Sequence, residues 1–201
     1  MIKFTIVSIV EGYGEIQAVP LLIRRVAQEY ATDVSIDASQ PIRIPRSKIT
    51  KQDELERAVT LAAFRVGKSG GLLLILDADD DCPASLGPQL LARAKGAVRG
   101  RVGVSVVLAK SEFEAWFLAA AKSLRGKRGL PPDLEPPTQP EAIRNAKGWL
   151  SDRMGQGSSY SEVLDQPALA AMMDLTEARD GSPSFDKFYR DLRAMIDSGR
   201  R

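Results

Sequence analysis

Two acidic clusters in this chain stand where hydrophobic runs end. Glu11 and Glu15 follow the β-branched run 2–10, and Asp77 and Asp79 follow the aliphatic run 72–76. A run that is apolar at odd and even positions alike predicts a strand buried on both faces, as in a parallel sheet. Open parallel sheets bind ligands beyond the carboxyl ends of their strands. If both runs are central and parallel, Glu11, Asp77 and Asp79 meet at one edge. Carboxylates gathered there repel one another, and their pKa values rise unless a cation sits among them. An all-oxygen site suits Mg²⁺ or Mn²⁺. Such an ion can neutralise a phosphate and orient an attacking oxygen. Each cluster also has a purely structural account. Glu15 near a helix start favours the helix dipole, and Asp79–Asp81 before Pro83 suit a solvated turn. The two clusters taken together favour a functional site.

The residue inventory narrows the chemistry further. The chain has 201 residues, a formal charge of +2 and no histidine. The missing histidine removes Ser-His-Asp and Cys-His nucleophile systems, His-built zinc sites and any nuclease with a histidine base. The single cysteine, Cys82, excludes an internal disulfide and a cysteine-built zinc site, and it suits a reducing, cytoplasmic compartment. Any catalysis falls to carboxylates, Lys, Arg, Ser or Tyr, with a hard metal ion. No segment approaches the roughly 20 apolar residues of a membrane helix, so no membrane partner is expected. The length fits one large domain, or a domain with an appendage.

These side chains need an α/β scaffold to position them. Residues 2–10, 34–39, 72–76 and 102–108 have strand character, with 42–46 extended or loop. Helical spacing joins Ile16, Val19, Ile23, Val26 and Tyr30, with Pro20 near the first turn or at a kink. Leu55, Val59, Ala62 and Val66 form another helical face, opened by a capping box at Thr50-Lys51-Gln52-Asp53. Gly70-Gly71 reads as a break, and 88–98 as a helix. The alternation of strand and helix is that of a parallel α/β sheet. It covers residues 1–125. Residues 126–201 are a proline-rich connector and a helical extension packed on the sheet domain, with helices at 141–154, 163–177 and 185–197. Ser182-Pro183-Ser184 is the start signal of the last helix.

A third segment, Lys110-Ser111-Glu112-Phe113-Glu114, follows the strand at 102–108 and is expected at the same edge. Lys110 is placed to hold a phosphate, and Glu112 or Glu114 can complete a metal site. The alternative is a capping box, with Ser111 and Glu114 opening a helix that reaches about residue 124. Residues 91–128 carry nine Lys or Arg against two Glu, a net +7, and Arg43, Arg46, Lys48 and Lys51 form a second basic group. Both are compatible with a phosphate backbone or with an ordinary solvated surface. Two suggestive loops fail. Gly67-Lys68-Ser69 lacks the earlier glycine of a Walker motif, and Gln17 stands where a dinucleotide loop beginning Gly12-x-Gly14 needs glycine.

The segment Val10-Glu11-Gly12-Tyr13-Gly14-Glu15-Ile16 resembles the first motif of the Toprim domain of primases, topoisomerases and OLD-family nucleases. Asp77-Ala78-Asp79 resembles that domain's Asp-x-Asp motif. The whole chain also resembles a family of Toprim-like bacterial proteins known only as a domain of unknown function; Lys110–Trp116 and Ser182–Phe185 fit it too. The resemblance implies a Toprim-like, Rossmann-like fold. It implies Glu11 as general acid/base or metal ligand, and Asp77 and Asp79 as ligands of Mg²⁺ or Mn²⁺, with Glu15 as a second acidic residue. Gly12 and Gly14 would let the turn approach a metal or phosphate closely. The expected function is phosphoryl transfer, as a nuclease on DNA or RNA, in phage defence beside an ATPase partner and compatible with an oligomer. The rival expectation is a non-catalytic subunit that senses metal or nucleotide for an ATPase. No gate-bearing tyrosine domain, zinc-binding region or helicase-binding region accompanies the motifs.

Overall fold

A computed structural model describes residues 2–200 apart from 32, 50, 52 and 68. The capping box through Thr50 and Gln52 and the Lys68 of the Walker-like triplet therefore lie outside the described residues. Strand β1 (Ile2–Val10) leads through helix α1 (Glu15–Tyr30) to β2 (Val34–Ala38) and the short β3 (Ile42–Arg43). Helices α2 (Arg46–Ile49) and α3 (Glu54–Val66) precede β4 (Gly70–Asp77), and α4 (Pro83–Val98) leads to β5 (Gly103–Ala109). All pairings are parallel, in the order β2-β1-β4-β5, with β3 extending the β2 side of β1. The chain thus is the α/β fold expected from its strand and helix alternation.

Strand parity divides the core in two. Phe4, Ile6, Val10, Leu73 and Ile75 face one layer, which holds α1 and the later helices. Val7, Ile9, Leu72, Leu74 and Leu76 face the other, which holds α3 and α4. The two crossovers from the β1 region leave in opposite directions and use opposite faces. α1 carries the chain to β2 on one side, and α3 carries it to β4 on the other. Crossover handedness favours this arrangement. A crevice opens between β1 and β4, where the order reverses.

Several local expectations change. Gly70-Gly71 is not a break but the start of β4. A Cβ on Gly70 would overlap the Thr5 carbonyl, and one on Gly71 would overlap Met195. The glycines are there for close approach. α4 begins at Pro83, with Pro88 inside it, because Pro83 occupies the first turn where its missing N–H costs nothing.

The helix after Glu114 is short, α5 (Ala115–Ala119), and among the described residues no side-chain cap forms at its start. The region expected as one helix over 141–154 is a 3₁₀ turn at Pro140–Ala142 followed by α6 (Ala146–Ser151), which Asn145 caps by accepting the Gly148 N–H at 2.9 Å. The one expected over 163–177 divides into α7 (Glu162–Met172) and α8 (Leu175–Gly181), because Asp174 accepts the Glu177 N–H at 2.8 Å and starts a new helix. The final helix, α9 (Pro183–Gly199), starts as expected, with Ser182 Oγ accepting the Phe185 N–H at 3.1 Å.

α7 and α9 pack against α1, and α9 also lies against β4 and β5. Their apolar faces complete the core with an aromatic cluster. Trp116 stands 5.1 Å from Phe185 and 5.5 Å from Phe188, centroid to centroid. Phe185→Ala is expected to cost about 3–5 kcal/mol of stability through the cavity it leaves. Chemical denaturation should show one cooperative transition at lower denaturant, with no separate unfolding of the C-terminal helix.

Candidate functional site: an acidic cleft at the switch point

The turn after β1 and the end of β4 form a cleft of about 240 Å³. Glu11, Glu15 and Asp77 line it, with Arg43, Arg46 and Lys147 as the cations. Strand geometry explains the acids. Asp77 shares the parity of Leu73 and Ile75, so it points into the layer of α1 and α5. Glu15 opens α1, and the Glu11 N–H donates to Glu15 Oε2 at 3.0 Å. Glu15 therefore pins the turn that presents Glu11.

Burial dominates the electrostatics. It raises the carboxyl pKa of Glu11, against the pull of Arg46 and with the push of Asp79. It raises Asp77 well above the carboxylate range, with Glu15 and Glu114 adding to the effect. Burial also takes Glu15 and Glu114 to about 7. Glu114 is fully buried. Its Oε1 accepts from Tyr160 Oη at 2.8 Å and Gln166 Nε2 at 3.2 Å, while Oε2 has no partner among the described residues. Burial pushes the Tyr160 phenol far up as well, with the Glu114 charge beside it. Burial works against the charge on Lys147, but Glu114, Glu162 and Asp77 outweigh it and raise its pKa. Lys147 pairs with Glu162. It is a built-in counter-ion among the acids.

The cleft gathers Glu11, Glu15 and Asp77, with Glu114 close enough to raise the pKa of both Glu15 and Asp77. Asp79 sits at the rim in a left-handed conformation, exposed, with its Oδ2 3.9 Å from Arg46 Nε. Gly12 lines the cleft beside Glu15. Gly14 serves packing instead: a Cβ there would overlap Gln166 Oε1 and the Glu162 carbonyl. This close approach seats the start of α7 on the start of α1.

Two candidates lie elsewhere. Glu112 accepts the backbone N–H of Lys147 at 3.2 Å and so anchors α6. Lys110 lines a separate apolar groove on the far side of β5, because its strand is two places from β1. The capping-box alternative for Ser111 and Glu114 is not realised either, since Glu114 turns inward to Tyr160 and Gln166.

Sequence reasoning missed Lys147, Tyr160, Glu162 and Gln166. They come from helices and a loop far along the chain, and no local motif marks them. The late Ser182-Pro183-Ser184 motif is a strut and not part of the cleft. Ser184 Oγ accepts from Trp116 Nε1 at 2.8 Å and from the Lys110 N–H at 3.3 Å, and Glu141 Oε1 accepts the Ser184 N–H at 2.8 Å.

Fold and site together define an open α/β protein with an acidic, cation-lined cleft at its topological switch point. Residues 10–193 match the family described as a domain of unknown function (DUF4276), and the chain belongs to that family. No curated protein and no solved structure matches it.

The raised carboxyls have a stability consequence. An acid whose pKa is higher in the folded state than in the unfolded state holds extra protons when folded. Stability then falls as pH rises from the ordinary value of 4.5 to about 7, and levels off above that. Thermal melts in chelator should give a higher Tm at pH 5.5 than at pH 8. Glu114→Gln should flatten that slope and gain about 1–3 kcal/mol at pH 8. A slope unchanged in the variant would show that Glu114 is not its source.

Proposed function

We propose that this chain is a divalent-metal-dependent phosphodiesterase, a nuclease acting on DNA or RNA. The observation that carries the reading is the Glu11 carboxyl at the β1/β4 crevice. Its Oε2 is buried without a hydrogen-bond partner among the described residues, beside Asp77 and flanked by Arg46 and Lys147. The Toprim resemblance of Glu11-Gly12 and Asp77-x-Asp79 supports the same assignment.

The donor set suits a hard cation. Asp77 Oδ1 accepts the Phe113 N–H at 2.7 Å, which orients the carboxylate, and among the described residues no hydrogen bond engages its other oxygen. Among the described residues no group of three or more acidic or thiol side chains is arranged to hold a metal. Mg²⁺ is commonly held by one or two carboxylates, with water and substrate phosphate completing its shell. Asp77 and Asp79 would hold it. When bound, the ion would offset phosphate charge in the transition state.

The chain's own groups do the rest. Arg46 donates to the Asp77 carbonyl at 3.1 Å and reaches toward Asp79, which fixes the rim. Arg43, stacked on Tyr13 with its guanidinium carbon 3.7 Å from the ring centroid, offers positive charge to a phosphate at the mouth. With no histidine present, the Glu11 carboxylate takes the proton from the attacking water. Burial raises its pKa, which makes it a stronger base than an exposed carboxylate.

The kinship implied by the motifs adds a setting of bacterial phage defence with an ATPase partner, and the free, exposed Cys82 fits a cytoplasmic location. Among the described residues no helix is long and apolar enough to cross a membrane. A second reading is a non-catalytic subunit that senses metal or nucleotide for an ATPase. Lys147 favours it, since this ammonium already balances part of the acidic charge.

Purified protein should cut plasmid or single-stranded nucleic acid in Mg²⁺ or Mn²⁺ and not in chelator. Glu11→Gln should reduce the rate by about 10²–10⁴-fold, and Asp77→Asn should weaken Mn²⁺ binding measured by calorimetry. Equal cleavage by wild type and Glu11→Gln would mean a contaminant and sink the nuclease reading. Metal binding without cleavage, even with the partner ATPase added, would establish the second reading.

A further inference from the structure

We propose that the outer edge of β5 binds an extended segment of a partner protein, apolar in its middle and acidic at both ends. β5 is the last strand of the sheet. The Ala109 carbonyl accepts the Ala78 N–H at 2.8 Å, so residues of odd number turn their peptide groups toward β4. Val104, Val106 and Leu108 turn theirs away from it. Lys110, of the same parity, donates its N–H outward to Ser184 Oγ. Among the described residues no hydrogen bond joins the outward groups of Val104, Val106 and Leu108 to any partner. Val106 and Leu108 are each only 4% exposed. Unpaired peptide groups in such a place are costly, and a strand laid beside them would satisfy them.

The space for that strand exists. One cavity of about 430 Å³ and a second of about 390 Å³ lie along the edge and share Leu91, Val106 and Lys187. They form one groove, with α4 as one wall and α9 as the other. From Val104 to Leu108 the open edge runs about 13 Å. A recess between two helices admits one extended chain. Strand addition of this kind draws affinity from the backbone and selectivity from alternate side chains.

Charge selects the occupant. Arg101, exposed, stands just before the strand and Lys110 just after it, and neither forms an ion pair among the described residues. The acids of the groove are already committed. Asp191 holds Lys187 and Ser105, and Glu141 holds Ser182 and the Ser184 N–H. Both ends of the edge are thus positive. A second copy paired antiparallel through β5 would bring Lys110 of one chain beside Arg101 of the other, a like-charge contact. A foreign segment with acidic ends meets both cations. This assignment removes Lys110 from the acidic cleft and does not depend on what that cleft does.

The test uses the full chain and a fluorescein-labelled peptide, Asp-Asp-Val-Thr-Val-Thr-Val-Asp-Asp. Fluorescence anisotropy should show saturable binding, at least about tenfold weaker for the same peptide with lysine at its ends. Amide exchange at Val104, Val106 and Leu108 should slow on addition of the peptide. The folded double variant Arg101→Glu/Lys110→Glu, checked by circular dichroism, should reverse the preference between the two peptides. No saturable binding, equal binding of both peptides, or protection elsewhere would overturn the proposal. So would a dimer in sedimentation equilibrium whose β5 amides are already protected without peptide.

Discussion

Four carboxyl groups share the carboxyl edge of β1 and β4 with one lysine ammonium, and the architecture around them answers to that crowding. A charge removed from water must be paired, hydrogen-bonded or neutralised. Each solution occurs here. Glu11 keeps company with Arg46. Glu15 is held by the backbone of the turn it pins. Glu114 is bonded by Tyr160 and Gln166. Lys147 lies between the acids of the sheet edge and Glu162. Removing any helix that supplies one of these partners would leave a bare charge inside the molecule.

This explains why the segment after residue 125 is more than a covering. α6 brings Lys147, the following loop brings Tyr160, and α7 brings Glu162 and Gln166. Gly14 lets α7 approach the start of α1 closely enough for those contacts. The aromatic cluster of Trp116, Phe185 and Phe188 fixes the same layer from the other end. Charge balance and packing are therefore supplied by the same helices.

The sheet was legible from local pattern because its strands are buried on both faces, and the runs at 2–10 and 72–76 say so residue by residue. Glu11 and Asp77 were legible for the same reason: each is the first acid after such a run, and parallel pairing alone carries both to one edge. Lys110 satisfies the same rule yet lines a different groove. Being at a strand's carboxyl end places a residue on the right edge of the sheet, but not at the right position along it, and β5 stands two strands from β1. The late helices were harder. The boundaries inside 141–154 and 163–177 depend on single capping residues, Asn145 and Asp174, whose effect a helical period does not reveal. Ser111 and Glu114 have capping-box spacing, yet burial beside Tyr160 decides the conformation of Glu114.

The strut through Ser184 has an implication for synthesis. Trp116, Lys110 and Glu141 all wait on a serine that is made tens of residues after them, and Gly71 and Phe4 wait on Met195 and Gly199. As the chain leaves the ribosome, its sheet emerges with one face covered by α1 but not yet by α9. Phe4 and Trp116 lack their partners Gly199, Phe185 and Phe188 until α9 closes over them. The nascent chain therefore passes through an interval in which part of that layer is exposed, and the docking of α9 ends it.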